Sequence, residues 1–553
     1  MTTATLLSPT PEVAPDVAPP ETPAADHLGD FTATRRMIPV ALLAIVIGVL
    51  SGYVARALID LIQAFTNLFF FQRLSTAPGL PAEHHLGYLV VLVPVVGALI
   101  IGVIARYGSE RIRGHGIPEA LEAILIKGSR VEARLAVLKP ISSAISIGSG
   151  GPFGAEGPII MTGGAFGSLV AQAFHLTNAE RKTLLVAGAA GGMTATFGSP
   201  LAAILLALEL LLFELKPRSS IPVALSCIAA MATRHFLFPE GALFHVPPHA
   251  AFAGVDALVG CLFCGLCGGG VAILLSRSVY ACEDLFQVHL RRIHWMWWPA
   301  IAGVGIGVGG LIAPRALGVG YESIADLLAG NLTLSATLSL LVVKWFIWAF
   351  SLGSGTSGGV LAPLLMLGAG VGTLEASVLP SVGPGFWPLI SMAAVFGGTM
   401  RSPITAVLFA LEVTHDWDAV VPLAAAVIVS HGVTVLGLKR SILTEKVARR
   451  GYHVTREYTI DPLEVLFVRD VVRTDVTVFP CDTPLAVAAA SFIDRNRQTR
   501  DARHAQRLYP VLDAEGRLRG AVTRRDMLDA ALSRDEIAVP ATVDEIAICD
   551  LVV

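Results

Sequence analysis

The stretch from Ile147 to Gly167 combines apolar residues, glycines and two prolines with a single acid, Glu156. Glycine permits close backbone approach and positive φ angles, and proline favours the start or the end of a helix. In a membrane, irregular backbone is tolerated only where protein buries it or where it lines a polar cavity. An ionisable residue at such a place is a functional candidate. The stretch therefore predicts a pathway that Glu156 controls.

Two further stretches also place glycines just before a proline-led helix start. A helix N-terminus offers unpaired N–H donors and about half a positive charge, so it attracts anions. Conduction requires that an anion enter and leave readily, and backbone dipoles allow this better than a lysine would. We therefore expect a conducted anion to meet these helix starts. They are Gly114-His115-Gly116-Ile117-Pro118, Gly154-Ala155-Glu156-Gly157-Pro158 and Gly358-Gly359-Val360-Leu361-Ala362-Pro363.

The composition is that of a protein with many membrane helices. The chain has 553 residues, of which 54% are hydrophobic and only 15% charged, whereas a soluble domain is about a quarter charged. A net charge of −3 offers no basic surplus for nucleic acid. The seven cysteines form no disulfide framework. Cys261, Cys264 and Cys267 lie in the apolar run 257–275, which favours helix packing over a metal site.

An internal duplication divides the apolar part of the chain. Repeats with an odd number of crossings become inverted and bring their broken helices together near the bilayer midplane. We expect repeats at about residues 86–236 and 295–438. The pairs 205 positions apart are Lys139 and Lys344, Gly148-Ser149-Gly150 and Gly353-Ser354-Gly355, Pro158 and Pro363, Met161 and Met366, and Gly167 and Gly372. Ser199-Pro200 and Glu209 recur 203 positions later as Ser402-Pro403 and Glu412.

The regions outside the repeats differ in composition. Residues 1–34 are rich in proline and lack the pattern of a signal peptide, so they predict a disordered tail. The membrane domain is expected over residues 35–451, opening with a long tilted helix from Met37 to about Phe71. Basic residues at 439–450 predict a cytoplasmic C-terminal side in an inner membrane. Residues 463–553 predict a small α/β domain, with a helix at 486–493, a strand at 507–512, and a second strand at 521–522 before a helix at 525–532.

The three glycine–proline loops resemble the signature loops of the CLC chloride channel and transporter family, whose patterns are GSGIP, G(K/R)EGP and GxFxP. The resemblance runs from about Arg36 to Gly451 and includes the duplication. It implies an all-α inverted-repeat fold, a homodimer with one pore per subunit, and Glu156 as the gate. As a carboxylate, Glu156 would occupy an anion site, and once protonated it would swing aside. The anion-binding positions implied are His115, Gly116, Ile117, Gly154, Gly157, Gly359, Val360 and Leu361.

This sequence departs from the family pattern at several pore positions. His115 replaces a serine, and its imidazole either donates to the anion or points into the vestibule. Leu443 replaces the pore tyrosine, Leu361 replaces a phenylalanine, and Leu210 stands where exchangers have an inner glutamate. Glu209 beside it is either part of a proton path or, like its counterpart Glu412, structural. These departures favour anion transport through a glutamate-gated pore, and the alternative is a proton-coupled chloride or fluoride antiporter.

The C-terminal region resembles a CBS domain. Thr523 and Asp526 in Gly520-Ala521-Val522-Thr523-Arg524-Arg525-Asp526 match positions that hold ribose hydroxyls. The resemblance implies an adenine nucleotide as a ligand, or else a role in dimer scaffolding. A second motif would begin near Ala541, so the domain is expected to be incomplete. An intramembrane enzyme using Ser149 and His115 is disfavoured because no third group is placed to orient the histidine, and a pure sensor is a further alternative.

Overall fold

The computed structural model describes residues 34–249, 254–451, 476–489, 506–532 and 542–547. The chain divides into two compact units, one of residues 30–458 and one that contains residues 459–553. The predicted disordered tail lies outside the described residues except for Thr34.

The first unit consists of helices and loops, as the sequence predicts. Its first half contains α1 (Met37–Phe71), α2 (Leu92–Tyr107), α3 (Ile117–Leu125), α4 (Ala133–Gly148), α5 (Glu156–Ala173), α6 (Asn178–Phe197), α7 (Pro200–Leu206) and α8 (Pro217–Leu237). The second half contains α9 (Gly254–Asp284), α10 (Trp298–Ile312), α11 (Tyr321–Ala329), α12 (Leu334–Gly353), α13 (Leu361–Glu375), α14 (Phe386–Met400), α15 (Pro403–Thr414), α16 (Val420–Gly437) and α17 (Ile442–Arg449).

Seven helical segments among the described residues are long and apolar enough to cross a membrane. Helix α1 is an unbroken run of 35 residues. At about 1.5 Å per residue it exceeds the roughly 30 Å hydrocarbon core, so it tilts or projects beyond it. Four shorter apolar segments, which include α13, α14 and α15, contain 10–17 residues. These are the broken helices that the short apolar runs predict.

Small residues allow the helices around α5 to pack closely. A Cβ added at Gly163 of α5 would overlap the carbonyl oxygen of Gly188 in α6, and one added at Gly188 would overlap that of Gly163. Gly167 likewise lies against the Leu184 carbonyl. Such backbone contact is the usual way in which membrane helices associate. It fixes α5, and therefore the Glu156 at its first turn, against a buried neighbour.

Two buried lysines support equivalent loops in the two halves. The Lys139 ammonium on α4 donates to the carbonyls of Ile112 and Gly114, at 2.7 and 2.9 Å. The Lys344 ammonium on α12 donates to the carbonyls of Ala316 and Gly318, at 3.0 and 2.8 Å. Each lysine thus ties down the loop that enters a short helix, α3 in one half and α11 in the other. The duplication in the sequence is therefore also a duplication of contacts.

The second unit contains a three-stranded sheet and a helix. Its elements are β1 (Phe479–Pro480), β2 (Leu508–Leu512), β3 (Leu518–Thr523) and α18 (Arg524–Leu532). β1 pairs parallel to β2, and β2 pairs antiparallel to β3 with a register shift at Val511/Leu512. The predicted strand at 507–512 and the strand–helix junction that follows are confirmed. The predicted helix at 486–493 is helical through residue 489, and its remainder lies outside the described residues.

Candidate functional site

The three glycine–proline loops meet at one place. The Gly154 amide donates to the Gly359 carbonyl at 3.3 Å, and the Gly359 amide donates back to the Gly154 carbonyl at 3.0 Å. On the other side, the Gly114 amide donates to the Thr356 carbonyl at 3.1 Å, and the Gly358 amide to the Gly114 carbonyl at 3.4 Å. The tips of α3, α5 and α13 are therefore joined by backbone hydrogen bonds between the two halves.

Glycine is required where the tips of α3 and α5 touch. A Cβ on Gly157 would overlap the His115 carbonyl oxygen, and a Cβ on Gly116 would overlap the Gly157 carbonyl oxygen. Gly116 also has φ +94°, a conformation that side chains disfavour. Gly116 and Gly157, two of the predicted anion-binding positions, thus bring two helix N-termini into backbone contact. Ile117, the first residue of α3, is fully buried beside them.

The Glu156 carboxylate is fully buried at the N-terminus of α13. Its Oε1 accepts hydrogen bonds from the Leu361 amide and from the Ala362 amide, the latter at 3.1 Å. Val360 caps α13, and its carbonyl accepts from the Leu364 amide within the helix. The N–H of Leu361 is one of the donors predicted to hold an anion. The carboxylate therefore lies where an anion would gain the most from the helix dipole.

The other oxygen of Glu156 is less well satisfied. Oε2 is buried and has no hydrogen-bond partner within the described residues. Lys344 is the cation close enough to interact electrostatically with this carboxylate. An unpaired buried acceptor is costly, so Oε2 is an acceptor that a further hydrogen-bond donor would stabilise.

The α3 tip carries its own acid, which the sequence analysis missed. The Gly116 amide donates to Glu119 Oε2 at 2.6 Å, and the Lys446 ammonium donates to Glu119 Oε1 at 2.7 Å. In this state the predicted anion donor at Gly116 is therefore occupied by a side chain of its own helix. The spacing Gly-x-x-Glu is that of a capping box and was the available signal.

His115 is buried rather than open to a vestibule. Its Nδ1 has no partner in the part of the chain that the structure describes. Lys139, Lys446 and Glu119 supply the charge around it. A buried ring nitrogen without a described partner can bind a ligand. The packing of His115 does not itself require a bound anion.

Leu443 lies at the start of α17, where the family pattern has a tyrosine. It is fully buried, and the helix is capped by the Ser441 hydroxyl, which accepts from the Thr444 amide at 3.3 Å. A different tyrosine reaches the same turn, because the Tyr280 hydroxyl from α9 donates to the Ile442 carbonyl. The start of α17 therefore has a tyrosine hydroxyl nearby, but this hydroxyl is bonded to the backbone.

Glu209 lies in a π-helical turn, Ala207–Leu212, that follows α7. Its Oε2 accepts from the Thr405 hydroxyl at 2.6 Å and from the Thr405 amide at 3.2 Å, at the N-terminus of α15. Glu412 does the same in the opposite direction, accepting from the amides of Leu201 and Ala202 at 2.9 and 2.8 Å. Each acid thus caps a helix of the other half. Leu210 is fully buried.

Two cavities are lined by different parts of the membrane unit. The α17-side cavity has a volume of about 630 Å³ and is lined by residues just after α2, such as Ser109, and by Lys446 of α17. The α11-side cavity has a volume of about 910 Å³ and is lined by residues just before α2, such as Glu83, and by Tyr321 of α11. Ala155, the neighbour of Glu156, lines the α11-side cavity.

The predicted nucleotide-binding pair lies at the junction of β3 and α18. The Thr523 hydroxyl donates to Asp526 Oδ2 at 2.5 Å, and the Asp526 amide donates to the Thr523 hydroxyl at 3.2 Å. The two residues therefore cap α18 together, and Asp526 remains exposed to solvent.

Comparison with known proteins agrees with this architecture. The family model described as voltage gated chloride channel matches residues 96–435, more than half of the chain, and the CBS domain model matches residues 468–533. A ClcB-like chloride channel protein of Ralstonia nicotianae is 27% identical over 351 residues, which cover 62% of this chain and 81% of that protein. The H+/Cl− exchange transporter ClcA of Vibrio cholerae is 30% identical over 342 residues, which cover 58% of this chain and 70% of that protein.

The solved structure of a slow cyanobacterial Cl−/H+ antiporter superimposes with a TM-score of 0.65 at 20% identity, covering 74% of this chain and 97% of that one. This likeness concerns the fold, whereas the sequence match to the family covers the three loops. The chain therefore belongs to the voltage-gated chloride channel family, known as CLC, with a CBS domain in its C-terminal part, and its activity is anion transport across a membrane.

Proposed function

We propose that this CLC protein is a proton-coupled antiporter of chloride or a similar monovalent anion. The observation that carries the proposal is the Glu156 carboxylate at the N-terminus of α13, where it accepts from the amides of Leu361 and Ala362. An anion that binds those amides must displace the carboxylate. The similarity to proteins named as Cl−/H+ exchangers supports antiport over the glutamate-gated channel expected from the sequence.

The coupling follows from the competition between two negative charges. While Glu156 is ionised, charge-assisted hydrogen bonds hold it on the amides and exclude the anion. Protonation removes the charge that the helix N-terminus favours, so the neutral side chain leaves and the anion enters. When the anion departs, the side chain returns and releases its proton. The anion and the ionised Glu156 carboxylate therefore occupy the same amides in turn, and each exchange binds or releases a proton on Glu156.

A second candidate is uncoupled anion flow, and two side chains favour it. Leu210 and Leu443 are fully buried and apolar at the positions where the family pattern has a glutamate and a tyrosine. Neither can pass a proton or donate to an anion. The tightness of coupling therefore depends on what replaces these groups at the inner end.

Purified protein in chloride-loaded vesicles distinguishes the two candidates. An outward chloride gradient should drive proton uptake by the wild-type protein. Glu156→Ala should retain chloride efflux, lose proton uptake and lose the acceleration of efflux by acid, because the titrating group is gone. Glu156→Gln is the matched control for side-chain volume and should behave similarly. Wild-type chloride efflux without proton uptake would establish uncoupled flow, and unchanged pH dependence in Glu156→Ala would overturn the gate assignment.

We extend the proposal to the arrangement of the protein in its membrane. Lys439, Arg440 and the basic residues of α17 support a cytoplasmic C-terminal side, so the α17-side cavity would open to the cytoplasm of an inner-membrane protein. Membership of the CLC family supports a homodimer. The exposed Asp526 and its partner Thr523 support an adenine nucleotide ligand for the CBS domain.

A further inference from the structure

The start of α11 is the counterpart of the start of α3 in the other half. Gly318-Val319-Gly320-Tyr321 stands 204 positions after Gly114-His115-Gly116-Ile117. The glycines have positive φ in both loops, +67° and +83° at 318 and 320, and +112° and +94° at 114 and 116. Lys344 and Lys139 hold the two loops in the same way. Where α3 begins with the apolar Ile117, α11 begins with Tyr321.

The Tyr321 hydroxyl has no hydrogen bond to any described residue, although it is buried. Its ring is fixed edge-to-face against Phe197 and Phe244, with centroids 6.3 and 6.1 Å away. A buried hydroxyl without a partner costs free energy, and tyrosine hydroxyls in such places normally find a partner. The aromatic packing therefore holds the ring in place and leaves the hydroxyl able to accept a further partner.

Glu156 is close to this hydroxyl. The two groups are within electrostatic range of each other, and both Tyr321 and Ala155 line the α11-side cavity. The loop entering α11 also packs on α13, since a Cβ on Gly320 would overlap the end of Met366 and lie 3.7 Å from the Lys344 ammonium. The unpaired Oε2 of Glu156 and the unpaired hydroxyl of Tyr321 thus lie within electrostatic range of each other, beside a cavity that Tyr321 and Ala155 line.

We propose that the Tyr321 hydroxyl receives the Glu156 carboxyl when that side chain leaves the N-terminus of α13 toward the α11-side cavity. The inference rests on the proposed gate and adds its second position. A protonated carboxyl both donates and accepts, as a phenolic hydroxyl does, so the pair is satisfied together. Tyr321 is a positioning residue, because it acts on the anion only by holding Glu156 away.

Other charged groups face this pair and are accounted for. Lys344 on α12 is bonded to two carbonyls, and Arg234 on α8 donates to the carbonyls of Ala195 and Thr196 at 2.5 and 2.9 Å. The remaining charged residues of the cavity lining and their partners are exposed or partly exposed. They are the pairs Arg56–Asp60 and Arg315–Asp326, the acids Glu83 and Glu322, and the exposed pair His235–Glu240.

The test is Tyr321→Phe, which keeps the ring packing and removes only the hydroxyl. Without its partner the protonated, displaced Glu156 is less stable, so more acid is needed to open the pathway. Chloride efflux at a fixed, mildly acidic pH should fall about three- to tenfold, the worth of one hydrogen bond, and its pH profile should move to lower pH. The apparent KM for chloride should rise, because chloride then competes with a carboxylate that leaves the amides less readily. Tyr53→Phe, on an exposed part of α1, is the control and should match the wild type.

The double variant separates positioning from mere packing. In a Glu156→Ala background, Tyr321→Phe should have no effect, because there is no carboxyl to receive. An equal loss of efflux in both backgrounds, or an unshifted pH profile in the single variant, would overturn the role of Tyr321 while leaving the gate intact. If Glu156→Ala itself retains the wild-type pH profile, both this inference and the proposed gate fail. Thermal unfolding in detergent should be alike for all variants, and a large loss for Tyr321→Phe would instead indicate a structural role.

Discussion

Glu156 and Glu119 place carboxylates on the N-termini of two helices that meet at one point. Glu156 reaches across to α13, whereas Glu119 folds back onto α3 and is held there by Lys446. A carboxylate on a helix N-terminus occupies the position that a transported anion needs. The two acids therefore occupy two neighbouring sets of amide donors. The acid at α3, Glu119, is also paired with a cation, Lys446.

We expect Glu119→Gln to strengthen anion binding at the α3 tip. The substitution removes the charge that neutralises Lys446 and weakens the cap on the Gly116 amide, so both can attract chloride. It also leaves a largely buried ammonium without its carboxylate, and stability should fall by about 1–3 kcal/mol. Chloride titration calorimetry and thermal unfolding measure the two effects.

Glu132→Gln is the matched control in the same cavity. Its carboxylate pairs with Arg111, and both side chains are about half exposed, so the substitution should change little. If Glu119→Gln and Glu132→Gln affect chloride binding equally, then the general charge of the cavity, rather than the α3 tip, controls affinity.

The sequence predicted which residue types lie at the site, but only part of their hydrogen bonding. Glu156, Leu361 and Gly157 could be located because glycine, proline and an acid share one apolar stretch. The contact of Glu119 with Lys446 joins positions 327 residues apart, and no local pattern reports it. The Tyr280 hydroxyl near Leu443 was missed for the same reason, since nothing in the run around Tyr280 predicts that it reaches α17.

At the scale of elements, the site depends on helix ends that approach without side chains between them. Gly116 and Gly157 are in backbone contact, and Gly154 pairs with Gly359. Proline at the start of α3, α5 and α13 lacks the N–H that a helix start leaves unpaired in any case. The remaining amides of these first turns are those available to a ligand.

Gly157→Ala should separate the tips of α3 and α5. The added methyl group would overlap the His115 carbonyl oxygen, and such overpacking costs about 1–3 kcal/mol. Anion flux should fall strongly, because the donors no longer converge. Flux assays in vesicles and thermal unfolding measure both outcomes.

Gly270→Ala tests whether any glycine substitution would do the same. A Cβ at Gly270 in α9 meets nothing within 4 Å, and alanine is the better helix former by about 0.5–1 kcal/mol. Full activity of Gly270→Ala together with loss in Gly157→Ala supports the contact argument. Normal flux in Gly157→Ala would contradict it.

At this scale, the sequence predicted where the long helices lie, but it did not predict where a helix becomes irregular. Long apolar runs fixed the position of α1 and α9 because only helices satisfy their own backbone in lipid. Apolar periodicity gives no sign of the π-helical turn at Ala207–Leu212. The role of the α11 start was also not predictable from its own residues. It becomes visible only by comparison with the equivalent loop at the start of α3.

At the scale of the molecule, the two halves are held together by reciprocal caps. Glu209 of the first half caps α15, and Glu412 of the second half caps α7. Each acid accepts backbone donors of the other half, and this supports the structural alternative for both acids. The arrangement leaves Oε2 of Glu209 bonded to both the hydroxyl and the amide of Thr405.

Glu209→Gln should therefore lower stability without changing coupling. Loss of a charged helix cap costs about 0.5–2 kcal/mol, which thermal unfolding in detergent detects. The number of protons moved per chloride in vesicles should remain that of the wild type. Glu412→Gln is the mirrored control and should give the same pattern. Loss of proton movement in Glu209→Gln alone would assign this acid to the proton path.

The spacing of repeated residues predicted the duplication. It did not predict which backbone groups of the two halves would bond to each other. Lys139 and Lys344 lie 205 positions apart and occupy equivalent places, as the repeat requires. The pairing of Gly154 with Gly359 depends on inverted packing of the two halves, which spacing alone permits but does not describe. In the C-terminal unit, the strand and helix at the Thr523 junction followed directly from local pattern.

The backbone pairing of Gly154 with Gly359 has a consequence for biogenesis. The ribosome delivers the first half well before the second, so the α5 loop enters the bilayer with its polar backbone groups unmatched until α13 arrives. The transport site is consequently assembled in one late step, after nearly the whole membrane unit has been synthesised. Fragments that stop short of α13 would remain immature, and quality-control proteases would find in that loop an exposed and recognisable defect.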